Sequence, residues 1–288
     1  MKAIYRRELG SYFNSMTGYL FIAFLLVMNG IYFMVYNLVS GQPRYATTLS
    51  SVILIFLLAV PILTMRSMAE ERHTRTDQLL LTSPVSIRSI VLGKFFAMAT
   101  VYAVPVAVSC LCPLVIKLNG TAYLAGDYAA ILAFFLLGCT YIAVGLFISS
   151  LTESQIIAAV GTFGVLLLLF LWDGLTGYLP TTAAGSLWGF LALLILVCAA
   201  VSAISNNWKV TCGVLAAGLL VIFGFYIKNA DSFEGLLPKV LGKFSLNKVF
   251  TNFAEYQLFD WGGLILYLSL TALMLFLTEQ VIERRRWN

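Results

Sequence analysis

The longest polar stretch of the chain, RSMAEERHTRTDQLLLTSPVSIRSIVLGK, runs from Arg66 to Lys94 and gathers residues able to do chemistry. Of the chain's 31 charged side chains (18 basic, 13 acidic) it holds eight: Arg66, Glu70, Glu71, Arg72, Arg75, Asp77, Arg88 and Lys94. The only histidine, His73, is there too. A lone imidazole with no second histidine is neither a metal centre nor an acid–base pair, and His73 reads as a solvated loop residue. The sequence has no GxxxxGK[ST] phosphate loop, no GxSxG and no HExxH, so neither nucleotide cradling nor hydrolysis by these routes is expected. What the stretch offers is a mixed-charge base with three consecutive leucines, Leu79, Leu80 and Leu81, beyond it. An apolar anchor with a charged rim is the composition of a docking surface. Burial in the lipid interface competes with that reading, and so does a plain connector, although a connector needs far fewer than 29 residues.

The elements that must position this stretch are membrane spans. The chain has 288 residues, 60% hydrophobic and only 11% charged, with a mean hydropathy of +0.92. A soluble domain carries roughly 25% charged residues. Eight apolar runs are long enough to cross a core of about 30 Å: 18–39, 49–65, 95–116, 128–149, 156–172, 186–205, 210–227 and 262–281. The last pair before the final run is joined only by Asn206, Asn207, Trp208 and Lys209, so six spans plus a re-entrant hairpin is the alternative. The expected fold is therefore all-α, a polytopic helix bundle forming a single transmembrane domain over 1–288. Placing the N-terminus inside puts 12 of the 18 Lys and Arg residues in cytoplasmic segments. That bias predicts that both termini are cytoplasmic, and makes 66–94 a cytoplasmic segment between spans two and three. No cleavable signal peptide is expected, because the first apolar run is too long and lacks a small-residue cleavage site.

Finer patterns flank the spans. Tyr5, Leu9, Tyr12, Phe13 and Met16 recur at helical spacing opposite Arg7, Glu8, Ser11, Asn14 and Ser15, which predicts an interfacial amphipathic helix over 1–17. Within 66–94, Ser83 is a candidate N-cap and Pro84 a candidate first helical residue. The stretch then reads as helix, sharp turn, helix, the second helix running into span three until near Pro105. In the extracytoplasmic amphipathic segment 228–261, Ser245 is placed to cap a helix whose apolar face is Leu246, Val249, Phe250 and Phe253. That helix is expected on the outer leaflet, or else packed on its own bundle. The cysteines Cys110, Cys112, Cys139, Cys198 and Cys212 all fall in apolar runs and read as small buried residues. Gly138 with Gly145, or Gly161 with Gly164, are candidates for close helix approach at a dimer seam. Glu279 is expected to pair with the terminal arginines.

The stretch MAEERHTRTDQLLLTSPVSIRSIVLGKFFA resembles the segment after the second span of ABC-2 type transporter permeases, most nearly the gliding-motility and nitrous-oxide-reductase-maturation branch. That pattern is paired acids, a basic residue, Gly-Thr, an acid, leucines, a small residue, Pro-Val-Ser and a closing Gly-Lys. Glu70, Glu71, Arg72, Thr76, Leu79, Leu80, Leu81, Thr82, Pro84, Val85, Ser86, Gly93 and Lys94 match it, while Arg75 stands where the pattern has glycine and Gln78 where it has the later acid. The opening YRRELGSYFNSMTGYLF and the end with Arg285, Arg286 and Trp287 are similar too; the middle, about 173–244, matches least.

The resemblance implies a non-catalytic permease subunit of an exporter in a prokaryotic cytoplasmic membrane. A separate cytoplasmic ATPase would carry the ATP and Mg, this chain binding no cofactor. The coupling elbow 66–94 would dock on that ATPase through Glu70, Glu71, Arg72, Asp77, Leu79, Leu80 and Pro84, supported by Arg6, Arg7 and Glu8. Further implied partners are a second permease copy or paralogue and an accessory extracytoplasmic subunit, with no nucleic acid. The competing classes are an ion-coupled secondary transporter, a non-transporting scaffold and an intramembrane enzyme. The spans show no carboxylate relay and no base to support the first or the last.

Overall fold

The structure is a computed structural model. It describes residues 1–76, 85–205, 213, 215, 216, 219, 234–256 and 259–286, and among them no strand occurs. Contacts divide the chain into two units, 1–170 with 246–288, and 171–245.

Helix α1 (Lys2–Asn14) is followed at Ser15 by α2 (Met16–Phe33), which ends in a π-helical stretch, Met34–Val39. Then come α3 (Tyr45–His73), α4 (Ile87–Ser109), α5 (Cys112–Asn119), α6 (Leu124–Leu151) and α7 (Gln155–Gly177). The chain continues with α8 (Ala183–Ser205), α9 (Leu236–Gly242), α10 (Leu246–Ala254) and α11 (Trp261–Arg286). Six segments among the described residues are long and apolar enough to cross a membrane: Met16–Val39, Tyr45–His73, Ile87–Asn119, Leu124–Leu151, Gln155–Gly177 and Trp261–Arg284. Each contains one of the apolar runs. The run 186–205 forms most of α8, while 210–227 falls largely outside the described residues.

In the first unit α6 is the central helix, packed against α3, α4, α10 and α11. Its core is aromatic. Phe56 of α3 stacks on Tyr102 of α4 with ring centroids 4.8 Å apart, and Phe134 of α6 lies 5.3 Å from Phe56. Gly138 makes room for the Tyr102 ring and Gly145 for the Thr64 side chain. A side chain at Gly161 would meet Ile148 of the same unit, and only Gly164 faces open space. Three of the four glycines expected at a dimer seam therefore serve packing within this chain.

The amphipathic pattern of α1 divides differently from expectation. Its buried residues are Ile4, Glu8 and Tyr12, a straight i, i+4, i+8 stripe. Tyr5, Leu9 and Phe13 are half-buried and Met16 is exposed. The arc shifts because α1 packs on α4 and α2, and Glu8 finds ionic partners there. Helix α10 buries Leu246, Val249, Phe250 and Phe253 as expected, against α6, α3 and α11, so its apolar face is used by its own bundle.

At the opposite end of these helices from His73 lies a buried polar cluster that the sequence reading passed over. Asp127, fully buried near the start of α6, accepts through Oδ1 from the Ala46 amide at 3.1 Å, capping α3 from a different helix. Tyr45 Oη donates to Asn29 Oδ1 at 2.9 Å, and Asn29 Nδ2 donates to Ser109 Oγ at 2.9 Å. The second unit holds the end of α7 with α8 and α9. Trp172 Nε1 donates to the Leu241 carbonyl at 3.0 Å, and Leu237 packs over Gly189. Cys110 and Cys112 are half-buried, Cys139 and Cys198 buried, and all four are free.

Candidate coupling site

Both ends of the stretch from Arg66 to Lys94 belong to long helices. Helix α3 continues to His73 and α4 begins at Ile87, so Arg66–His73 is the last two turns of a span and Ile87–Lys94 the first two turns of another. Good helix formers in AEERH carry α3 onward. The turn that stops it has Thr74 as C-cap; the Arg75 amide donates to the Arg72 carbonyl at 3.1 Å and the Thr76 amide to the Glu71 carbonyl at 2.9 Å. These two bonds define a Schellman motif, which needs a left-handed residue just beyond the cap. Arg75 supplies it with φ +55°. This is the position where the resembling pattern has glycine, and the geometry gives the reason. An L-residue other than glycine, Asn or Asp in that conformation costs about 1–2 kcal/mol. Arg75→Gly is therefore expected to raise the detergent melting temperature by a few degrees (about 2–4 °C per kcal/mol), while Arg75→Val lowers it; thermal unfolding followed by tryptophan fluorescence checks both.

Helix α4 is capped by Ser86, whose Oγ accepts from the Ser89 amide at 3.4 Å. The helix that runs into span three thus starts later than expected, with Val85 and Ser86 still outside it; Ser83 and Pro84, the expected cap and first helical residue, lie outside the described residues. The helix also runs through Pro105 to Ser109 before breaking.

The two helix ends and α1 converge on one lysine. Lys94 is 1% exposed. Its ammonium donates to the Ser67 carbonyl at 2.8 Å and pairs with Glu71 Oε1 at 2.9 Å and Glu8 Oε1 at 3.2 Å. Three acceptors for three N–H donors leave the buried charge fully satisfied. Arg7 closes a ring, with Nη2 2.6 Å from Glu8 Oε1 and 2.9 Å from Glu71 Oε1. Cations and anions alternate around it: Arg7, Glu8, Lys94, Glu71. The hydrogen bond to Glu8 raises the Arg7 guanidinium above its ordinary value, against a smaller lowering by partial burial. Gly93 makes the ring possible. A Cβ there would come within 3.0 Å of Ile4 Cγ2, so glycine lets α1 lie close enough on α4 for Glu8 to reach Lys94. The closing Gly-Lys pair thus has a structural use of its own.

Two further ties fix this end. Arg66 chelates Glu70 through Nε and Nη2, both at 2.8 Å, one turn apart on α3. Arg72 donates to the Ser150 carbonyl at 3.1 Å and to Glu153 Oε1 at 2.9 Å, neutralising the C-terminal end of α6. Glu279 accepts from Arg88 Nε at 2.6 Å, Arg88 lying on the first turn of α4, which packs on α11; the side chains of Arg285 and Arg286, also expected as its partners, lie outside those described.

Of the expected docking residues, Glu70, Glu71 and Arg72 are each engaged within the chain, with side chains 37%, 19% and 15% exposed. Asp77, Leu79, Leu80 and Pro84 lie outside the described residues. Arg7 and Glu8 stand in the ring, and Arg6 is exposed. The sequence reading left Lys94 out of the site, though its place after Gly93 at the head of an apolar run was the available signal: a charge there has to find partners on neighbouring helices. Among the described residues no three His, Cys, Asp or Glu side chains gather as metal ligands.

A family model described as ABC-2 family transporter protein matches residues 33–179, just over half the chain. The chain belongs to the ABC-2 transporter family. The matched region runs from the end of the first span to just past α7, and so includes the converging ends of α3 and α4. None of the curated proteins compared with the chain matches it. Membership makes this a membrane component of an ABC transporter that works with an ATPase subunit, and accords with the six apolar spans.

Proposed function

We propose that this chain is the permease subunit of an ABC exporter of the gliding-motility or nitrous-oxide-reductase-maturation kind, in a prokaryotic cytoplasmic membrane with both termini inside. A cytoplasmic ATPase, holding ATP and Mg, docks on the segment between α3 and α4 and drives a pair of permease subunits, identical or paralogous; an accessory subunit meets the opposite end near Phe250. The observation that carries the proposal is the charge ring. It joins α1, α3 and α4 at the base of the segment, so a displacement there moves three helices as one. The positive-inside bias supports the orientation. Leu79, Leu80 and Pro84 are the docking residues, with Asp77 at the rim. Glu70, Glu71 and Arg72 transmit force through their ion pairs.

A pull-down of the tagged chain from its own membranes tests this. Glu71 holds the buried lysine, so its replacement would confuse docking with folding. The informative variant is Leu79→Asp, Leu80→Asp. A soluble ATPase is expected to co-purify with the native chain and to be lost from the variant at unchanged yield and melting temperature. Absence of an ATPase from both preparations, or equal recovery from both, overturns the docking assignment.

A further inference from the structure

Beside the charge ring, in the first unit, is a cleft of about 390 Å³. One wall is the α1–α2 elbow, with Arg7, Ser11, Tyr12, Ser15 and Thr17; the other is α3 from Ile62 to Thr74. The α3 wall changes character along its length. At Ile62 and Leu63 it is apolar, within the span; at Arg66, Ser67 and Glu70 it is polar; at Thr74 it has left the helix. Leu63 to Thr74 covers roughly 16 Å at 1.5 Å per residue, more than the roughly 5–8 Å of headgroup region on each side of the hydrocarbon core, so the wall is long enough to reach from acyl depth to water. A cleft graded in this way fits an amphipathic molecule entering from the bilayer.

Two observations narrow the chemistry. Ser67 lines the cleft and is 4% exposed; its hydroxyl makes no hydrogen bond of good geometry, the Tyr12 side chain lying beside it, and its carbonyl is used by Lys94. Buried polar groups are normally satisfied, and this hydroxyl is free to turn toward an occupant of the cleft. The ionic lining is balanced: Arg7, Arg66 and Lys94 against Glu8, Glu70 and Glu71. Lys94 is fully committed to the protein, while Arg7 and Arg66, with side chains 53% and 39% exposed, each keep guanidinium N–H groups beyond those that bind glutamate. A net-neutral lining with guanidinium donors and carboxylate acceptors matches a headgroup that carries a phosphodiester and a primary ammonium together. We propose that the cleft binds one zwitterionic aminophospholipid, its phosphate between Arg7, Arg66 and the Ser67 hydroxyl, its ammonium toward Glu70, and its acyl chains over Ile62 and Leu63. The lipid then wedges the elbow against α3 beside the ring and couples the lipid environment to the helices that the segment moves. The binding itself depends only on the membrane reading; which leaflet supplies the lipid follows the orientation proposed above.

Native mass spectrometry of the full-length chain tests this, with phosphatidylethanolamine, phosphatidylglycerol or inorganic phosphate titrated into the detergent. The expected result is one retained phosphatidylethanolamine, bound at least tenfold more tightly than phosphatidylglycerol and not displaced by millimolar phosphate. Two variants of different kind should each weaken it tenfold or more: Arg66→Gln with Ser67→Ala, which removes ligands, and Ser11→Trp, an exposed position where the indole fills the cleft without touching an ion pair. Melting temperature without added lipid reports whether each variant folds. Equal retention by the native chain and by both folded variants overturns the site. Phosphatidylglycerol binding as tightly overturns the charge matching, and displacement by inorganic phosphate overturns the lipid in favour of the free anion.

Discussion

Lys94→Met is expected to destabilise the protein by about 3–5 kcal/mol, the cost of leaving buried charge uncompensated. The ammonium is nearly fully buried and lies between Glu8 and Glu71. Without it two carboxylates share one arginine, and the Ser67 carbonyl loses its donor. Thermal unfolding in detergent should show a fall on the order of 10 °C, taking about 2–4 °C per kcal/mol. The physical cause can be separated from lost packing, because methionine keeps most of the stem volume. Adding Glu71→Leu removes the extra negative charge and leaves Arg7 paired with Glu8. Replacing a buried pair whole is often close to neutral where breaking it is not, so the double variant should recover at least half of the lost stability. A double variant no better than the single one would mean that the ring does not act through charge balance.

Gly138→Ala is expected to cost about 1–3 kcal/mol through overpacking, a large effect for one methyl group. The added Cβ collides with the ring of Tyr102. That ring cannot yield easily: it stacks on Phe56 and lies against Phe134 and Phe135, and its hydroxyl donates to the Phe134 carbonyl at 2.9 Å. A Tyr102→Leu background removes the obstruction. The two substitutions together should therefore be less harmful than their sum by about 1 kcal/mol or more. Gly164→Ala is the control. Nothing lies within 4 Å of its Cβ position, so alanine there should be neutral or stabilising by up to about 1 kcal/mol. Unfolding midpoints of the four proteins decide; equal losses at Gly138 and Gly164 would sink the packing argument and return both glycines to a possible seam.

The sequence by itself determined that the chain is a helical membrane protein, because apolar runs of span length with almost no charge have no other stable arrangement in lipid. It also determined the family, through a short segment whose residue order is tied to one local geometry. The close approach at Gly93 is an example. The apolar face of α10 was legible for the same reason, since helical periodicity is local. Only the tertiary structure decided where the charges go. Sequence spacing could pair Arg66 with Glu70, one turn apart, but Lys94 with Glu8, Arg7 with Glu71, Arg72 with Glu153 and Arg88 with Glu279 are separated by scores of residues. A charge near a membrane must find a partner on whichever helix lies beside it, and neighbours are set by packing. The same holds for Asp127, a span-end carboxylate in sequence and the buried cap of another helix in space. It holds too for Gly138 and Gly145, whose small size was plain while the side chains that needed the room lay on α4 and α3.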